Sequence, residues 1–117
     1  MPVAWMHYRN KPILFADYRG LERRQKASLY RRQAREMDRV ESGVAVICRF
    51  DGVPLAGGTA TRALRMARAV LRMKSGRGAV VVENPVWRAA LHVWSRLAGP
   101  HLVPFSTELE ALEWVVR

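Results

Sequence analysis

The part of this sequence best suited to chemistry is a glycine-rich segment that runs into a helical pattern. It reads Gly57-Gly58-Thr59-Ala60-Thr61, and Arg62 and Arg65 follow within about one helical turn. Free backbone N–H groups and the dipole at a helix N-terminus attract anions, and two glycines let a ligand approach the backbone. We therefore predict an anion- or partner-binding site here. The alternative is a plain turn in which Thr59 or Thr61 is only the N-cap.

The other polar residues form no catalytic constellation in the sequence. His7, His92 and His101 lie on three separate predicted elements, and no acid or nucleophile accompanies them at a useful spacing. Cys48 lies in an apolar run and is expected to behave as a small buried hydrophobe. The glycine-rich segment lacks the Gly-Lys-Ser/Thr ending of a P-loop. We therefore expect no catalytic residue, no metal and no cofactor, in a protein that is not an enzyme.

Three strand-to-helix units provide the scaffold for these residues. An apolar run precedes a helical pattern or a helix start signal in each unit: Val44–Phe50 before Thr61–Lys74, Ala79–Val82 before Asn84-Pro85, and Leu102–Phe105 before Ser106-Thr107. Strands that alternate with helices predict a largely parallel sheet covered by helices.

A hairpin and a helix precede the three units. Ala4–Arg9 and Ile13–Tyr18 are predicted to pair antiparallel around the short connection Asn10-Lys11-Pro12. A first helix is predicted from Leu21 to Val40, with an inward face made by Ala27, Tyr30, Ala34 and Met37. The fold class expected is α/β, with a five-stranded mixed, mostly parallel sheet and four helices in a single domain, residues 1–117.

The composition is strongly basic. The chain has 20 basic and 10 acidic residues, a net charge of +10, and Arg outnumbers Lys by 17 to 3. A basic surface can bind nucleic acid or another polyanion, and the arginine faces of the first two helices would carry this alternative function. Few aromatic residues interleave with those arginines, which argues against stacking on single strands. Such binding would be independent of sequence and would weaken steeply with salt.

On a helical wheel, the apolar residues of the third helix cover a wider arc than contact with one face of a sheet requires. Trp87, Leu91 and Trp94 line one margin of that arc at helical spacing. We predict that this margin forms a homodimer contact or the wall of an apolar ligand pocket. The alternative is that loops or a neighbouring helix cover both tryptophans.

The sequence also carries signals of location. Its longest apolar run is too short to span a bilayer, and the start of the chain does not resemble a signal peptide. A single cysteine excludes an internal disulfide and fits a reducing compartment. We therefore expect a cytoplasmic protein without a membrane span.

Two stretches resemble a known family. Lys11-Pro12-Ile13-Leu14-Phe15-Ala16-Asp17-Tyr18-Arg19-Gly20-Leu21 and Val103-Pro104-Phe105-Ser106-Thr107-Glu108-Leu109-Glu110-Ala111-Leu112-Glu113-Trp114 are similar to the small bacterial SpoIIAA-like proteins of the STAS superfamily, also described as STAS/SEC14-like. The segment from Asn84-Pro85 to Gly99 fits as well. The resemblance covers nearly the whole chain and implies the same α/β fold.

The resemblance also implies a function. Anti-sigma-factor antagonists of the superfamily carry a phosphorylated serine at a helix N-terminus, and Thr59 would occupy that position. Gly57, Gly58 and Ala60 stand where that motif has Asp, Ser and Gly. The resemblance therefore implies a non-enzymatic regulatory module that binds a partner protein. The resemblance to SEC14-like proteins within the same family implies a further alternative, a carrier of a small apolar ligand.

Overall fold

The structure is a computed structural model that describes residues 3–50, 65, 68–98 and 101–117, except for the side chains at positions 23, 94, 97 and 98. The elements in chain order are β1 (Val3–Tyr8), β2 (Lys11–Asp17), α1 (Arg23–Asp38), β3 (Ala45–Phe50), α2 (residues 65 and 68–73), β4 (Arg77–Val82), α3 (Pro85–Ala98), β5 (Leu102–Phe105) and α4 (Glu108–Val115).

The five strands form one mixed sheet in the order β1-β2-β3-β4-β5. β1 and β2 pair antiparallel, and the remaining neighbours pair parallel. This confirms the α/β fold class and the five-stranded, mostly parallel sheet expected from the alternation of strands and helices. Asp17, Arg49, Val81 and Phe105 are aligned across the four parallel strands, close to their carboxyl ends.

The hairpin turn is tighter than the sequence suggested. Arg9 and Asn10 have φ of 51° and 65°, so they form the central pair of a two-residue turn of the kind that suits twisted hairpins. The second strand consequently begins at Lys11, and Pro12 lies opposite His7 on the edge strand pair.

The helices form two layers of unequal size. Side chains of α1, α2 and α3, including Leu29, Leu71 and Leu91, pack with one face of the sheet in a single core cluster. On the opposite face, Ala111 and Val115 of α4 pack in a second cluster with strand residues such as Ile47. From β2 to β5, each strand lies next to the preceding one in the same direction across the sheet. Because crossovers between parallel strands share one handedness, the connecting helices α1, α2 and α3 all lie on the same face.

The inward face of α1 differs in part from the prediction. Met37 is buried and Tyr30 is half-buried, as expected, but Ala34 is exposed. Leu29 and Gln33 are buried instead. The expected set was therefore wrong at Ala34, because a polar side chain, Gln33, takes the central inward position.

Candidate functional site at the carboxyl edge of the sheet

Charged residues gather where the parallel strands end. Asp17 ends β2, and Arg49 lies directly opposite it on β3. Arg49 follows Ile47 by two residues, so strand alternation places its side chain on the α4 side of the sheet. Ligands of open parallel sheets bind outside the carboxyl ends of the strands, and this edge is therefore the candidate site.

Arg49 is the central cation of this edge. Its Nη1 lies 3.4 Å from Oε2 of Glu108, and its Nη2 lies 3.4 Å from Oε1 of Glu83. The Arg49 side chain is mostly covered, whereas Glu83 is largely exposed. One half-buried guanidinium thus links the end of β4 to the first residue of α4.

A second ion pair lies beside the first. Arg19 donates from Nε to Oδ1 of Asp17 at 3.0 Å and from Nη2 to Oδ2 at 2.8 Å, which is a bidentate arrangement. The hydrogen bond from Arg19 lowers the pKa of Asp17, and the same bond raises the pKa of Arg19. Both groups are therefore charged throughout the neutral range, and the edge presents alternating charges.

The N-termini of α3 and α4 are already capped by their own side chains. Oδ1 of Asn84 accepts from the backbone N–H of Val86 at 2.9 Å and of Trp87 at 3.1 Å, as the predicted cap requires. Thr107 accepts from the N–H of Glu110 at 3.3 Å, and hydrogen bonds from Ser106 and Thr107 lower the pKa of Glu110. These helix ends therefore have fewer free donors for an anion.

Two apolar side chains are exposed on the same edge. Val86, in the first turn of α3, is 78% exposed, and Leu109, in the first turn of α4, is 62% exposed. They follow Glu83 and Glu108, the two partners of Arg49, closely in sequence. The edge thus combines apolar contacts with a mixed-charge rim, a composition typical of protein interfaces.

Most of the predicted binding segment lies outside the described residues. This holds for Gly57, Gly58, Thr59, Thr61 and Arg62. Arg65 is described, lies in α2 and has an exposed side chain. β3 ends at Phe50, directly after Arg49, so the chain leaves the sheet for that segment from the charged edge. The segment's role as a partner or anion site, and Thr59 as phosphoacceptor, stay predictions.

Sequence reasoning missed the Arg49 pairs. Nothing in the spacing of Glu83 and Glu108 suggested a common partner, because they are 25 residues apart and meet only through the sheet. One signal was present: Arg49 interrupts an apolar strand one residue before its end. A charged residue near the end of an otherwise buried strand indicates that the strand reaches the carboxyl edge of the sheet there.

The predicted self-association margin lies mainly inside the protein. Trp87 is 6% exposed and Leu91 is 2% exposed, both in the three-helix core, and the Trp94 side chain lies outside the described set. The rings of Trp87 and Phe50 pack edge-to-face, with their centroids 5.5 Å apart. The Trp87 side chain therefore packs against the sheet. Among the described side chains of α3, the large apolar ones that are strongly exposed are Val86 and Val93. Homodimer formation stays a prediction.

The remaining polar residues have structural surroundings. His7 and His92 are exposed, and Nδ1 of the half-buried His101 lies 3.4 Å from the Gly76 carbonyl oxygen. Cys48 is buried, as predicted. Across the described residues, no three His, Cys, Asp or Glu side chains are grouped so that they could hold a metal ion.

A shallow groove beside α1 is relevant to the carrier alternative. It has a volume of about 240 Å³ and is lined by Leu21, Gln25, Ser28, Leu29 and Arg32. Pockets that enclose apolar ligands usually have about 300–1,000 Å³ and mostly apolar walls. This groove therefore lends the carrier alternative no support.

The architecture is the SpoIIAA-like α/β fold. The crystal structure of an uncharacterized DUF3478-family protein with a SpoIIAA-like fold, from Shewanella loihica PV-4, matches with a TM-score of 0.58. The match covers 97% of this chain and 91% of that chain at 13% sequence identity. The likeness confirms the fold that the sequence resemblance implied. No protein-family model and no curated protein matches the chain.

A helix that crosses a bilayer needs about 20 consecutive, predominantly apolar residues. Among the described residues, no helix combines the length and the apolar character needed to cross a bilayer.

Proposed function

We propose that the protein is a non-enzymatic interaction module of the SpoIIAA-like kind, which docks a regulatory partner protein on the carboxyl edge of its sheet. The docking surface comprises Val86, Leu109 and the ion pairs of Arg49. The proposal also includes the segment from Gly57 to Arg65, which follows β3 in sequence. The observation that carries the proposal is the exposure of two apolar side chains that follow Glu83 and Glu108, the partners of the half-buried Arg49, within three residues in sequence.

The composition of this edge supports a protein partner. Interface cores are depleted of charge and are surrounded by a polar rim. Val86 and Leu109 would supply the apolar contact, and Glu83 and Asp17 would lie at the rim. A small anion would meet carboxylates here as well as guanidinium groups, which weakens the case for a simple anion site.

The adjoining segment would supply regulation. A phosphate on Thr59 would add about 1.5–2 negative charges next to Arg62 and Arg65 in sequence. Such a charge would compete with an acidic partner for those arginines. In this proposal, modification of Thr59 releases the partner.

Capture of partners from a lysate of the source organism tests the docking surface. The protein is immobilised, bound proteins are identified by mass spectrometry, and the wild type is compared with Val86→Asp/Leu109→Asp. We expect a specific partner to be lost from this variant, because two buried carboxylates would disrupt an apolar contact. Thr59→Glu and Arg62→Glu/Arg65→Glu are expected to weaken the same partner.

Val93→Asp is the matched control. Val93 is 60% exposed on the same helix as Val86 but lies two turns further from the charged edge. It should retain the partner. Equal capture by all variants, or equal loss in Val93→Asp and Val86→Asp/Leu109→Asp, would remove the carboxyl edge as the docking surface.

A further inference from the structure

The positive charge of the molecule is concentrated on one face. Described side chains of α1 with its C-cap Arg39, of α2 with Lys74, and of α3 include twelve basic and two acidic residues. α4, on the opposite face, contains three acidic residues, and basic side chains outside the helices contact it: Arg9, Lys11, Arg49 and Arg77. With the N-cap Glu22 of α1 counted as well, these helices have twelve basic and three acidic residues, an excess of nine against a net charge of +10 for the whole chain. Neither the carboxyl edge nor the proposed partner accounts for this asymmetry.

Five of these arginines form two stripes. Arg24, Arg31 and Arg35 follow one another at seven and four residues along α1, and Arg65 and Arg72 are seven apart on α2. These spacings keep each stripe on one side of its helix. All five side chains are exposed, and none has an ion-pair partner in the described part of the chain.

The two stripes lie on the same side of the sheet and are held together at one end. Leu29 of α1 and Leu71 of α2 belong to the same core cluster. Nζ of Lys74 donates to the carbonyl oxygens of Asp38 at 2.9 Å and Val40 at 2.6 Å, just beyond α1. The backbone N–H of Gly43 donates to the carbonyl oxygen of Lys74 at 2.6 Å. The basic face is thus a fixed surface.

We propose that the two arginine stripes of α1 and α2 bind the phosphate backbone of double-stranded nucleic acid, independently of sequence. Guanidinium groups match phosphate oxygens in bidentate geometry. The α1 stripe spans eleven residues, about 16 Å, which corresponds to roughly five phosphates along one strand. The axes of packed helices lie about 8–10 Å apart. The grooves of duplex DNA are about 6–12 Å wide, so the α2 stripe would contact the phosphates of the strand across the groove from the one that α1 contacts.

Other polyanions fit the face less well. Proteins that bind single strands need a series of aromatic side chains on which bases stack. Near the stripes, the Tyr30 ring packs on Tyr18, with the ring centroids 4.7 Å apart. The indole N–H of Trp5 donates to Glu36. Binding to a membrane surface requires exposed apolar residues that insert into it. Binding to an acidic protein requires an exposed apolar patch for the core of the interface. Met73 is the one large apolar side chain of α1 and α2 that is strongly exposed among the described residues.

Fluorescence anisotropy with a labelled random-sequence DNA duplex of about 20 base pairs tests the proposal. With five phosphate contacts, log Kd should change with log salt at a slope of magnitude about 4.5, or roughly 500-fold weaker binding between about 50 and 200 mM NaCl. Arg31→Gln/Arg35→Gln should reduce that slope by about 2 and weaken binding at low salt.

Arg96→Gln/Arg117→Gln is the charge-matched control, since both residues are exposed and lie off the two stripes. It should keep the slope within about half a unit of the wild type. Equal effects of the two double variants would overturn the assignment to α1 and α2. So would the absence of duplex binding at low salt, or binding to single-stranded DNA, polyglutamate or phosphatidylserine vesicles as tight as to duplex. Arg65 belongs to both proposed surfaces, but Arg31→Gln/Arg35→Gln and Val86→Asp/Leu109→Asp each change one surface only. The outcomes of these two variants therefore distinguish failure of duplex binding from failure of partner capture.

Discussion

Gln33 is the buried polar residue around which the larger core is organised. The Tyr18 hydroxyl donates to its Oε1, and its Nε2 donates to Sγ of Cys48 at 3.1 Å and approaches Sδ of Met37 at 3.8 Å. The amide therefore ties α1 to β2 and β3 inside an otherwise apolar layer. Buried polar groups of this kind are costly only when a partner is removed.

This network predicts strong coupling between Tyr18 and Gln33. Gln33→Leu leaves the Tyr18 hydroxyl without its partner, and Tyr18→Phe leaves the Gln33 carbonyl oxygen without its donor, so each should cost about 1–3 kcal/mol of unfolding free energy. The double variant should cost less than the sum, because it removes both orphaned groups. Urea unfolding of the four proteins measures the coupling, and additive costs would contradict the network.

The same region predicts destabilisation at alkaline pH. Burial raises the pKa of Cys48 from 9.0 to about 12 and that of Tyr30 from 10.0 to about 12. Between those limits the unfolded chain loses protons that the folded chain retains. Stability is therefore complete below about pH 9 and falls as pH rises towards 12.

Urea unfolding at about pH 8 and pH 11 measures this effect. Cys48→Ala should lose less stability between the two pH values than the wild type does. A thiol-reactive aromatic disulfide should modify native Cys48 far more slowly than unfolded protein at pH about 8. Equal modification rates would contradict the burial of this thiol.

Among the helices, α1 and α2 depend on one another through Lys74. Its ammonium group lies within hydrogen-bond distance of the carbonyl oxygens of Met37, Asp38 and Val40, where α1 ends. Helix C-termini expose unpaired carbonyl groups and favour a nearby cation. A side chain from the next helix thus completes the end of α1.

Replacement of this cation should loosen the end of α1. Lys74→Met keeps the apolar stem but removes the donors, and we expect a loss of about 1–3 kcal/mol in unfolding free energy. Hydrogen exchange should show faster exchange in the last turn of α1. Lys26→Met, a half-buried lysine on α1, is the control and should change stability by less than about 0.5 kcal/mol. Equal losses in both variants would refute the capping role.

The molecule as a whole is electrically polar, with a basic three-helix face and an acidic α4. Glu36 pairs with Arg39 and Asp38 lies near Lys74, but the two arginine stripes have no such partners among the described residues. Like charges on one surface repel, and the repulsion is screened over about 8–10 Å at physiological salt. The isolated protein therefore carries an internal electrostatic cost.

This cost predicts that salt stabilises the protein. The midpoint of thermal unfolding should rise between about 20 and 300 mM NaCl, because screening relieves the repulsion. Arg31→Gln/Arg35→Gln should be more stable than the wild type at low salt and less sensitive to salt. Arg96→Gln/Arg117→Gln should differ less from the wild type. A midpoint that falls with salt would show that attractive pairs dominate instead.

The order of elements and the fold class follow from local patterns in the sequence. Alternating apolar runs and helical patterns are local signals, and so are caps such as Asn84 and Thr107, which depend only on residues within one turn. The family resemblance followed from the same local patterns. The fold could therefore be predicted almost completely.

The contacts between residues distant in sequence could not be predicted and emerge from the three-dimensional packing. Gln33 points inward although Ala34 is the more apolar neighbour, because Tyr18 and Cys48 lie opposite it. Arg49 joins Glu83 and Glu108 because parallel strands bring distant residues to one edge. Trp87 is buried because Phe50 lies beneath it. Such contacts depend on how helices are placed on the sheet, and that placement reflects packing of the whole core and cannot be inferred from spacing along one element.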